Sequence, residues 1–167
     1  MLTADQIIAL LNLTPHPKEG GYFRETYRSS EAISEKALPS RYRGTRSFAT
    51  AIYYLLTPET FSAIHRLQSD EIFHFYLGDP VEMLQLWPDG SGKLIILGFD
   101  ILRGMQPQVL VPRGVWQGAR LRNGGRLAFL GTTVSPGFEF ADYESGQRDE
   151  LSKSYRQFRE RIIALTK

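Results

Sequence analysis

The stretch HRLQSDEIFHFYLG, residues 65–78, contains two of the three histidines of the chain. His65 and His74 flank the acidic residues Asp70 and Glu71. Imidazoles and carboxylates that lie close together can bind a divalent metal, and they can also act as a general acid and base. A strand that simply carries a hydrogen-bonded core histidine uses the same residue types. To choose among these three interpretations, one must know which of these side chains lie on the same face of the fold.

The elements around this stretch are mostly short runs rich in β-branched and aromatic residues, separated by Gly, Pro, Asn and Asp. No helical pattern lies between them, and a parallel sheet would need crossover helices. The sequence therefore predicts an all-β fold, built as an antiparallel sandwich or barrel. The nine predicted strands cover residues 20–29, 47–57, 61–67, 71–78, 81–88, 93–101, 107–112, 115–122 and 126–135.

Helical patterns are confined to the two ends of the chain. Thr3 and Gln6 have the spacing of a capping box, which predicts a short helix over residues 3–13. Apolar residues recur at steps of three and four from residue 149 onward, which predicts an amphipathic helix there. These residues are Leu151, Tyr155, Phe158, Ile162 and Leu165.

Three further segments carry local signals. DGSGKL, residues 89–94, lacks the glycine and hydroxyl positions of a phosphate-binding loop, since Trp87 and Leu94 occupy them, so we predict a hairpin turn. NGG at 123–125 also predicts a hairpin, because Asn and Gly accept positive φ angles. Residues 29–45 have no clear periodicity and predict a surface excursion.

The length of 167 residues predicts a single domain spanning 1–167. The chain has no cysteine, which excludes thiolate zinc sites, cysteine nucleophiles and disulfides. A net charge of +2 does not indicate a nucleic-acid partner. We find no signal-peptide pattern and no apolar run near the ~20 residues of a membrane span. We therefore expect a cytoplasmic protein without a membrane partner.

The spacing of the opening stretch resembles the first sequence motif of the cupin superfamily. His65, Glu71 and Gly78 stand where that motif has its first histidine, glutamate and glycine, whereas Leu67 replaces its second histidine. VPRGVWQG is similar to the second motif, with Gln117 in place of the histidine. HPKEGGYFRETYRS, DEIFHFYLG, VPRGVWQGA and VSPGFEFADYE resemble signature segments of a small, largely uncharacterised family of bacterial and fungal cupins, apart from the inserted lysine of the first segment.

This resemblance implies a double-stranded β-helix, that is, a jelly-roll barrel, here with short N-terminal and C-terminal helices. It also implies a small-molecule ligand in a pocket at the open end of the barrel, and a homodimer. It does not imply one reaction, because cupins include isomerases, epimerases, dioxygenases, decarboxylases, storage proteins and sensors.

Strand alternation places the candidate side chains on opposite faces. If Glu71 faces into the barrel, His74 faces out unless a β-bulge turns it inward. With such a bulge, His65, Glu71, His74 and Gln117 would suit Mn, Fe, Ni or Zn. The residues expected on the inner face of the preceding strand are Phe61, Ala63, His65 and Leu67.

Without a metal, His65 can act as a general base or acid beside Glu71, as in the proton-transfer epimerases of the cupin superfamily. Arg24 would hold an anionic group if its strand face looks inward, and would be an ordinary solvated residue if it looks outward. The catalytic candidates are thus His65 and Glu71, and the substrate-binding candidates are Tyr22, Arg24, Phe73, Trp116, Gln117 and Asp142.

The functional prediction is a cupin enzyme that acts on a polar, sugar-like or anionic metabolite by epimerase-like or isomerase-like acid/base chemistry, with or without a divalent metal. The alternative is a non-catalytic ligand-binding or sensing cupin that uses the same pocket.

Overall fold

The computed structural model describes residues 2–167. Its helices are α1 (Ala4–Leu11), α2 (Arg148–Ser154) and α3 (Arg159–Ala164), with 3₁₀ turns at Glu35–Ala37, Ile101–Arg103, Phe140–Asp142 and Arg156–Phe158. Its strands are β1 (Thr14–Pro15), β2 (Tyr22–Arg28), β3 (Ala32–Ile33), β4 (Arg46–Ser47), β5 (Thr50–Leu56), β6 (Phe61–Arg66), β7 (Asp70–Gly78), β8 (Val81–Leu86), β9 (Gly92–Leu97), β10 (Gln108–Val111), β11 (Trp116–Leu121), β12 (Ala128–Ser135) and β13 (Glu144–Ser145).

Two large sheets face each other and form the barrel. One has the strand order β1-β2-β5-β12-β7-β10, and the other has the order β13-β6-β11-β8-β9. All pairings between these strands are antiparallel, and from β5 to β8 and again from β10 to β13 the chain alternates between the sheets. This is jelly-roll topology, so the predicted all-β barrel with short terminal helices is confirmed.

All nine predicted strands are present. The four that were not predicted, β1, β3, β4 and β13, have two residues each, which is too short for an alternating pattern to be visible. β3 and β4 lie in or beside the 29–45 segment, which is largely exposed but buries Tyr42. None of the helices in residues 2–167 is long and apolar enough to cross a membrane.

One of the two predicted hairpins is present. β8 and β9 pair across the turn that contains DGSG, with Leu86 opposite Gly92. The hairpin at NGG was wrong, because β11 and β12 belong to different sheets. The connection between them is instead tied to the connection between β7 and β8, through the bonds from Arg122 N–H to Pro80 O and from Asp79 N–H to Leu127 O. Two crossings between the sheets thus satisfy each other's backbone groups.

Apolar side chains pack in three places. The barrel interior holds a core that includes Tyr54, Phe73, Phe75, Met83, Leu97, Val109, Ala119 and Leu130. A second cluster joins the outer face of the five-stranded sheet to the C-terminal helices and includes Ile64, Leu84, Leu86, Leu151, Tyr155 and Ile162. A third places α1 on the six-stranded sheet and includes Ile7, Leu13, Leu55, Leu127 and Phe129.

The C-terminal segment is not the single helix that its periodicity predicts. Helix α2 ends where Tyr155 adopts φ −124° and ψ 59°, and a 3₁₀ turn leads into α3. The Tyr155 hydroxyl donates to the carbonyl oxygen of Trp87 at 2.8 Å, and Phe158 lies directly against Gly92. The predicted apolar residues do pack on the sheet, but the fixed surface of the β8–β9 hairpin breaks the helix between them.

A β-bulge in β6 changes which residues face the barrel. His65 pairs with Gln117, but Ser62 pairs with Ala119, so β6 has one residue more than β11 between these points. Ser62 and His65 consequently share the inner face, and Phe61 packs outside with the C-terminal helices. The expected inner placement of Phe61 was therefore wrong, whereas that of His65 agrees with the structure.

Candidate functional site

A partly enclosed cavity of about 110 Å³ reaches into the barrel and is lined by two histidines and several carboxyl groups. A larger surface groove of about 710 Å³ beside the 122–125 turn has no histidine in its lining, so the partly enclosed cavity is the better candidate site. The cavity is lined by His16, Glu19, Phe23, Glu25, Arg28, Thr50, Ala51, Ile52, His65, Leu67, Glu71, Thr132, Val134, Phe138, Glu139, Phe140 and Tyr143.

The imidazole of His65 is held in one tautomer by its hydrogen bonds. Nδ1 lies 2.7 Å from the carbonyl oxygen of Ala63, which can only accept, so Nδ1 carries the proton. Nε2 of the neutral ring is then an acceptor, and the amide nitrogen of Gln117 donates to it at 2.8 Å. The ring is only 2% exposed and stacks on Tyr143 with its centroid 4.8 Å away. His65 thus presents a basic nitrogen inside the barrel.

Glu71 faces the same interior from β7. Its Oε2 accepts from the amide nitrogen of Gln117 at 3.3 Å, so this amide bridges Glu71 and His65. Burial, together with the nearby carboxylate of Glu19, raises the pKa of Glu71 to about 8, although hydrogen bonds from Thr132 and Gln117 oppose the shift. Near neutral pH this side chain is therefore mostly a neutral acid that can donate a proton.

Glu19 is a functional candidate that we did not predict. Its Oε1 accepts from the Ser62 hydroxyl at 2.5 Å, and its Oε2 lies 3.8 Å from Nε2 of His65. The loop that carries it approaches β6 closely because Gly20 has φ 111°, and a Cβ atom at this position would overlap the carbonyl oxygen of Phe61. The glycine pair in HPKEGGYF was the sequence signal for this approach.

His16 joins the site from the same loop. Its Nδ1 accepts from the backbone N–H of Glu19 at 2.9 Å, which places the proton of the neutral ring on Nε2. Burial lowers the pKa of His16, so the ring is neutral near pH 7. Nε2 lies 3.9 Å from Oε2 of Glu19, beyond hydrogen-bond distance. The carboxylate of Glu19 thus stands between two imidazoles without a hydrogen bond to either.

The mouth of the cavity carries an arginine that differs from the predicted one. A bulge in β2 places Glu25 and Arg28 beside the cavity, and Arg28 binds Glu25 at 2.9 Å and Glu139 at 2.9 Å. Arg24 lies on the other face, with its guanidinium 5.6 Å from the ring centroid of Tyr53. Of the two orientations considered for Arg24, the structure therefore has the outward one.

His74 is not brought together with His65 and Glu71. It lies on the outer face of β7, as strand alternation indicates, where its ring nitrogens contact Thr133 at 3.2 Å and Gln108 at 3.3 Å. The bulge in β7 falls beyond it, near Tyr76, and does not turn it inward. The ligand set that included His74 is therefore not assembled.

In addition to Arg24, four of the predicted substrate-binding residues lie away from the site. Tyr22 packs beside α1, Phe73 is 1% exposed within the barrel core, and Trp116 lies outside with the C-terminal helices. Asp142 is buried, but both of its oxygens bind Arg46 at 2.7 Å. The structure brings together His65, Glu71 and Gln117 of the predicted site, and Asp142 serves to anchor the segment that precedes Tyr143.

The family model described as Cupin superfamily (DUF985), Cupin_5, matches residues 5–146. The chain belongs to this cupin family. A curated relative, the uncharacterized protein YML079W of Saccharomyces cerevisiae, is 32% identical over 146 residues, which are 83% of this chain and 72% of the relative.

Solved cupin structures show the same fold. A hypothetical protein from Leishmania major has a TM-score of 0.88 at 30% identity and covers 99% of both chains. Protein SO0799 from Shewanella oneidensis has a TM-score of 0.88 at 33% identity, over 100% of this chain and 99% of that one. Oxalate decarboxylase from Bacillus subtilis, with a TM-score of 0.55 at 13% identity over 93% of this chain and 37% of that one, shares the fold alone.

Two of the positions at which the cupin motifs usually have metal ligands carry residues that do not bind a metal here. Leu67 has no donor atom, and Gln117 presents its amide N–H, not its oxygen, to His65 and Glu71. Within residues 2–167, no three or more His, Asp or Glu side chains are placed so as to hold a metal ion. The donor set of this cupin therefore does not fit a transition metal.

Proposed function

We propose that this cupin is a proton-transfer enzyme of the epimerase or isomerase type, acting on a small polar carbonyl metabolite. The observation that supports the proposal is that His65 and Glu71 share one amide and both line the same partly enclosed cavity. One member presents a basic ring nitrogen, and the other is a carboxyl group whose pKa is raised to about 8. A base and an acid of this kind, held at neutral pH, are what proton abstraction next to a carbonyl requires.

In the proposed step, Nε2 of His65 removes a proton from the carbon next to the substrate carbonyl. The electron pair of the C–H bond forms a C=C bond, the π pair of the carbonyl group moves to its oxygen, and Glu71 gives this oxygen its proton, so that a neutral enol forms. Protonation of the opposite face of the same carbon, with return of the enol proton to Glu71, completes epimerisation. In a hydroxycarbonyl substrate, protonation of the former carbonyl carbon, with loss of the neighbouring hydroxyl proton to Glu71, completes isomerisation. The backbone carbonyl of Ala63 holds the tautomer of His65 throughout and favours the imidazolium that forms.

The substrate that fits this geometry is small and polar. The expectation of an anionic substrate rested on Arg24, which faces outward, and the arginine at the mouth already binds two carboxylates. The geometry therefore favours a neutral or sugar-like hydroxycarbonyl compound over an anion.

A specific observation also favours the second candidate, a non-catalytic ligand-binding cupin. The Gln117 amide donates to the lone pair of His65 Nε2 that a base needs. Catalysis requires the substrate C–H group to replace this amide, which then becomes free to donate to the substrate oxygen. A pure binding protein has no such requirement.

Deuterium exchange separates the two candidates. The purified protein is incubated in D₂O with a panel of small hydroxyaldehydes, hydroxyketones and sugars, and mass spectrometry detects the gain of one deuterium at carbon. We expect His65→Asn to slow exchange at least ~100-fold, because it removes the base. His74→Asn is the matched control, since it changes a histidine outside the barrel, and it should exchange at the wild-type rate.

Two results would count against the enzyme. Exchange by His65→Asn at the wild-type rate would remove the base assigned above. Thermal stabilisation of wild-type protein by a panel compound, without deuterium incorporation, would support the binding module instead.

A further inference from the structure

The charges that line the cavity do not balance. Three glutamates of the lining, Glu19, Glu25 and Glu139, contribute carboxylates. Among the lining residues that the structure describes, Arg28 is the one Lys or Arg side chain. Arg28 is shared between Glu25 and Glu139 at the mouth, so Glu19 at the inner end has no cationic partner in the lining. A buried carboxylate without such a partner is costly unless a ligand supplies one.

The two imidazoles beside Glu19 do not neutralise its carboxylate through a hydrogen bond. Oε2 of Glu19 lies 3.8 Å and 3.9 Å from the two imidazoles, beyond hydrogen-bond distance. Oε1 of Gln117, in a side chain that is 1% exposed beside His65 and Glu71, has no hydrogen-bond partner. Buried acceptors in native proteins are nearly always satisfied, and of these two oxygens the one on Glu19 belongs to a residue that lines the cavity, so a ligand with N–H donors would complement it.

Four aromatic rings also belong to the wall of the cavity, beside aliphatic and hydroxyl side chains. Phe23, Phe138, Phe140 and Tyr143 all line the cavity, and the faces of such rings attract ammonium groups. The chain itself already uses this attraction, because Nζ of Lys18 lies 5.3 Å from the ring centroid of Phe140 and 5.5 Å from that of Tyr143. Two of the four lining rings thus already have an ammonium group beside them, which illustrates the attraction on this wall.

We infer that the ligand of this cavity carries a small ammonium group that binds Oε2 of Glu19 between the aromatic rings. This inference rests on the proposed function for the rest of the ligand: the substrate becomes a small amino-substituted hydroxycarbonyl compound. The ammonium group pairs with Glu19, and the carbonyl end reaches His65 and Glu71. Glu19 is then the residue that selects the charge of the substrate.

Three probes of equal size but different charge test the inference directly. Ethanolamine, ethylene glycol and glycolate share a hydroxyl-bearing two-carbon frame and end in an ammonium, a hydroxyl and a carboxylate group. Each is titrated into ¹⁵N-labelled protein at constant ionic strength, and binding is followed by chemical-shift changes of residues around the cavity. We expect ethanolamine to bind at least tenfold more tightly than either of the others. Equal or tighter binding of glycolate or ethylene glycol would overturn the inference.

Glu19→Gln tests the residue assignment. We expect this variant to bind ethanolamine at least tenfold more weakly, while Glu144→Gln, which changes an exposed glutamate outside the cavity, should bind it as wild type does. Unchanged binding by folded Glu19→Gln would contradict the assignment. If Glu19→Gln does not fold, Phe138→Leu tests the aromatic wall in the same titration, with at least a twofold loss expected and unchanged affinity counting against the site.

The two proposals fail separately. Ethanolamine binding and deuterium exchange are independent measurements on the wild-type protein, so each proposal can be rejected without the other. Retained binding without deuterium exchange in wild-type protein would reject the enzyme and keep the ligand class. Exchange with compounds that lack an amine, at rates equal to those of amino compounds, would keep the enzyme and reject the ligand class.

Discussion

Two buried carboxyl groups of this cupin, Asp142 and Glu71, have opposite surroundings. Asp142 is 6% exposed, and both of its oxygens bind the guanidinium of Arg46 at 2.7 Å. Glu71 is 7% exposed and has only uncharged donors, an amide and a hydroxyl, with a second carboxylate close by. One group has a full counter-charge, and the other has been left without one.

The different surroundings give Asp142 a structural role and leave Glu71 able to donate a proton. Arg46 also donates to the carbonyl oxygens of Arg43, Gly44 and Thr45, so the Arg46–Asp142 pair fixes the end of the 29–45 segment to the segment before Tyr143. A satisfied pair of this kind has little capacity to react. Glu71 keeps its proton at neutral pH because its surroundings disfavour charge, and such a group can donate a proton.

The largest expected effect comes from leaving Asp142 without its partner. Arg46→Met should lower the free energy of unfolding by about 3–5 kcal/mol, because a buried carboxylate is then uncompensated. Denaturant unfolding followed by circular dichroism measures the change. Arg66→Met is the matched control: Arg66 binds Glu144 with the same two-point geometry, at 2.7 Å and 2.8 Å, but in an exposed position. Its loss should cost about 0–1 kcal/mol.

A second change sharpens this prediction. Asp142→Asn in the Arg46→Met background should recover part of the lost stability, because it removes the unpaired charge. Equal costs for Arg46→Met and Arg66→Met would contradict the distinction between the buried and the exposed pair.

The next prediction concerns Glu71, whose contribution to the free energy of unfolding should decrease as the pH rises. Because its pKa rises from 4.5 to about 8 on folding, the folded state holds this proton in a range where the unfolded chain loses it. The stabilisation is complete below pH 4.5 and is lost as the pH rises through 8. Each pKa unit corresponds to about 1.4 kcal/mol, so we expect the wild type to lose on the order of 3 kcal/mol between about pH 5 and pH 7.5, where the unfolded chain has mostly lost the proton and the folded state mostly holds it.

Glu71→Gln removes this titration and keeps a similar shape. Its unfolding free energy should exceed that of the wild type at pH 8.5, and the difference should shrink towards pH 5. Glu59→Gln, at an exposed position, is the control and should follow the wild-type pH profile. A Glu71→Gln profile parallel to that of the wild type would show that Glu71 is ionised throughout.

The sequence predicts those features that follow from strand alternation and motif spacing. The nine longer strands, the placement of Glu71 inside and the placement of His74 outside all follow from a period of two residues. His65, Glu71 and Gln117 meet because the cupin motifs bring β6, β7 and β11 together. The terminal helices follow from their apolar periodicity, although the break at Tyr155 depends on contacts with a distant hairpin.

The remaining features depend on irregular backbone and on long-range pairing. Bulges in β2 and β6 decide that Arg28 lies at the cavity and Phe61 outside, and a one-residue bulge leaves no clear trace in a hydrophobic pattern. Glu19 comes from a loop without periodicity. Arg46 and Asp142 are 96 positions apart in the sequence, and no local rule pairs them.

The smallest expected effect concerns Arg28, which neutralises the two carboxylates at the mouth of the cavity, whereas Glu19 at the inner end has no such partner in the lining. Its side chain is 35% exposed, so Arg28→Gln should change the unfolding free energy by less than about 1 kcal/mol. The same change frees Glu25 and Glu139 from their partner and makes the mouth more negative. Ethanolamine should therefore bind roughly threefold more tightly, with the gain shrinking as salt is added. Arg66→Gln changes an arginine that is not among the lining residues and should leave the affinity unchanged. Weaker ethanolamine binding by Arg28→Gln would mean that Arg28 shapes the mouth and does not merely neutralise it, which would limit charge selection to Glu19.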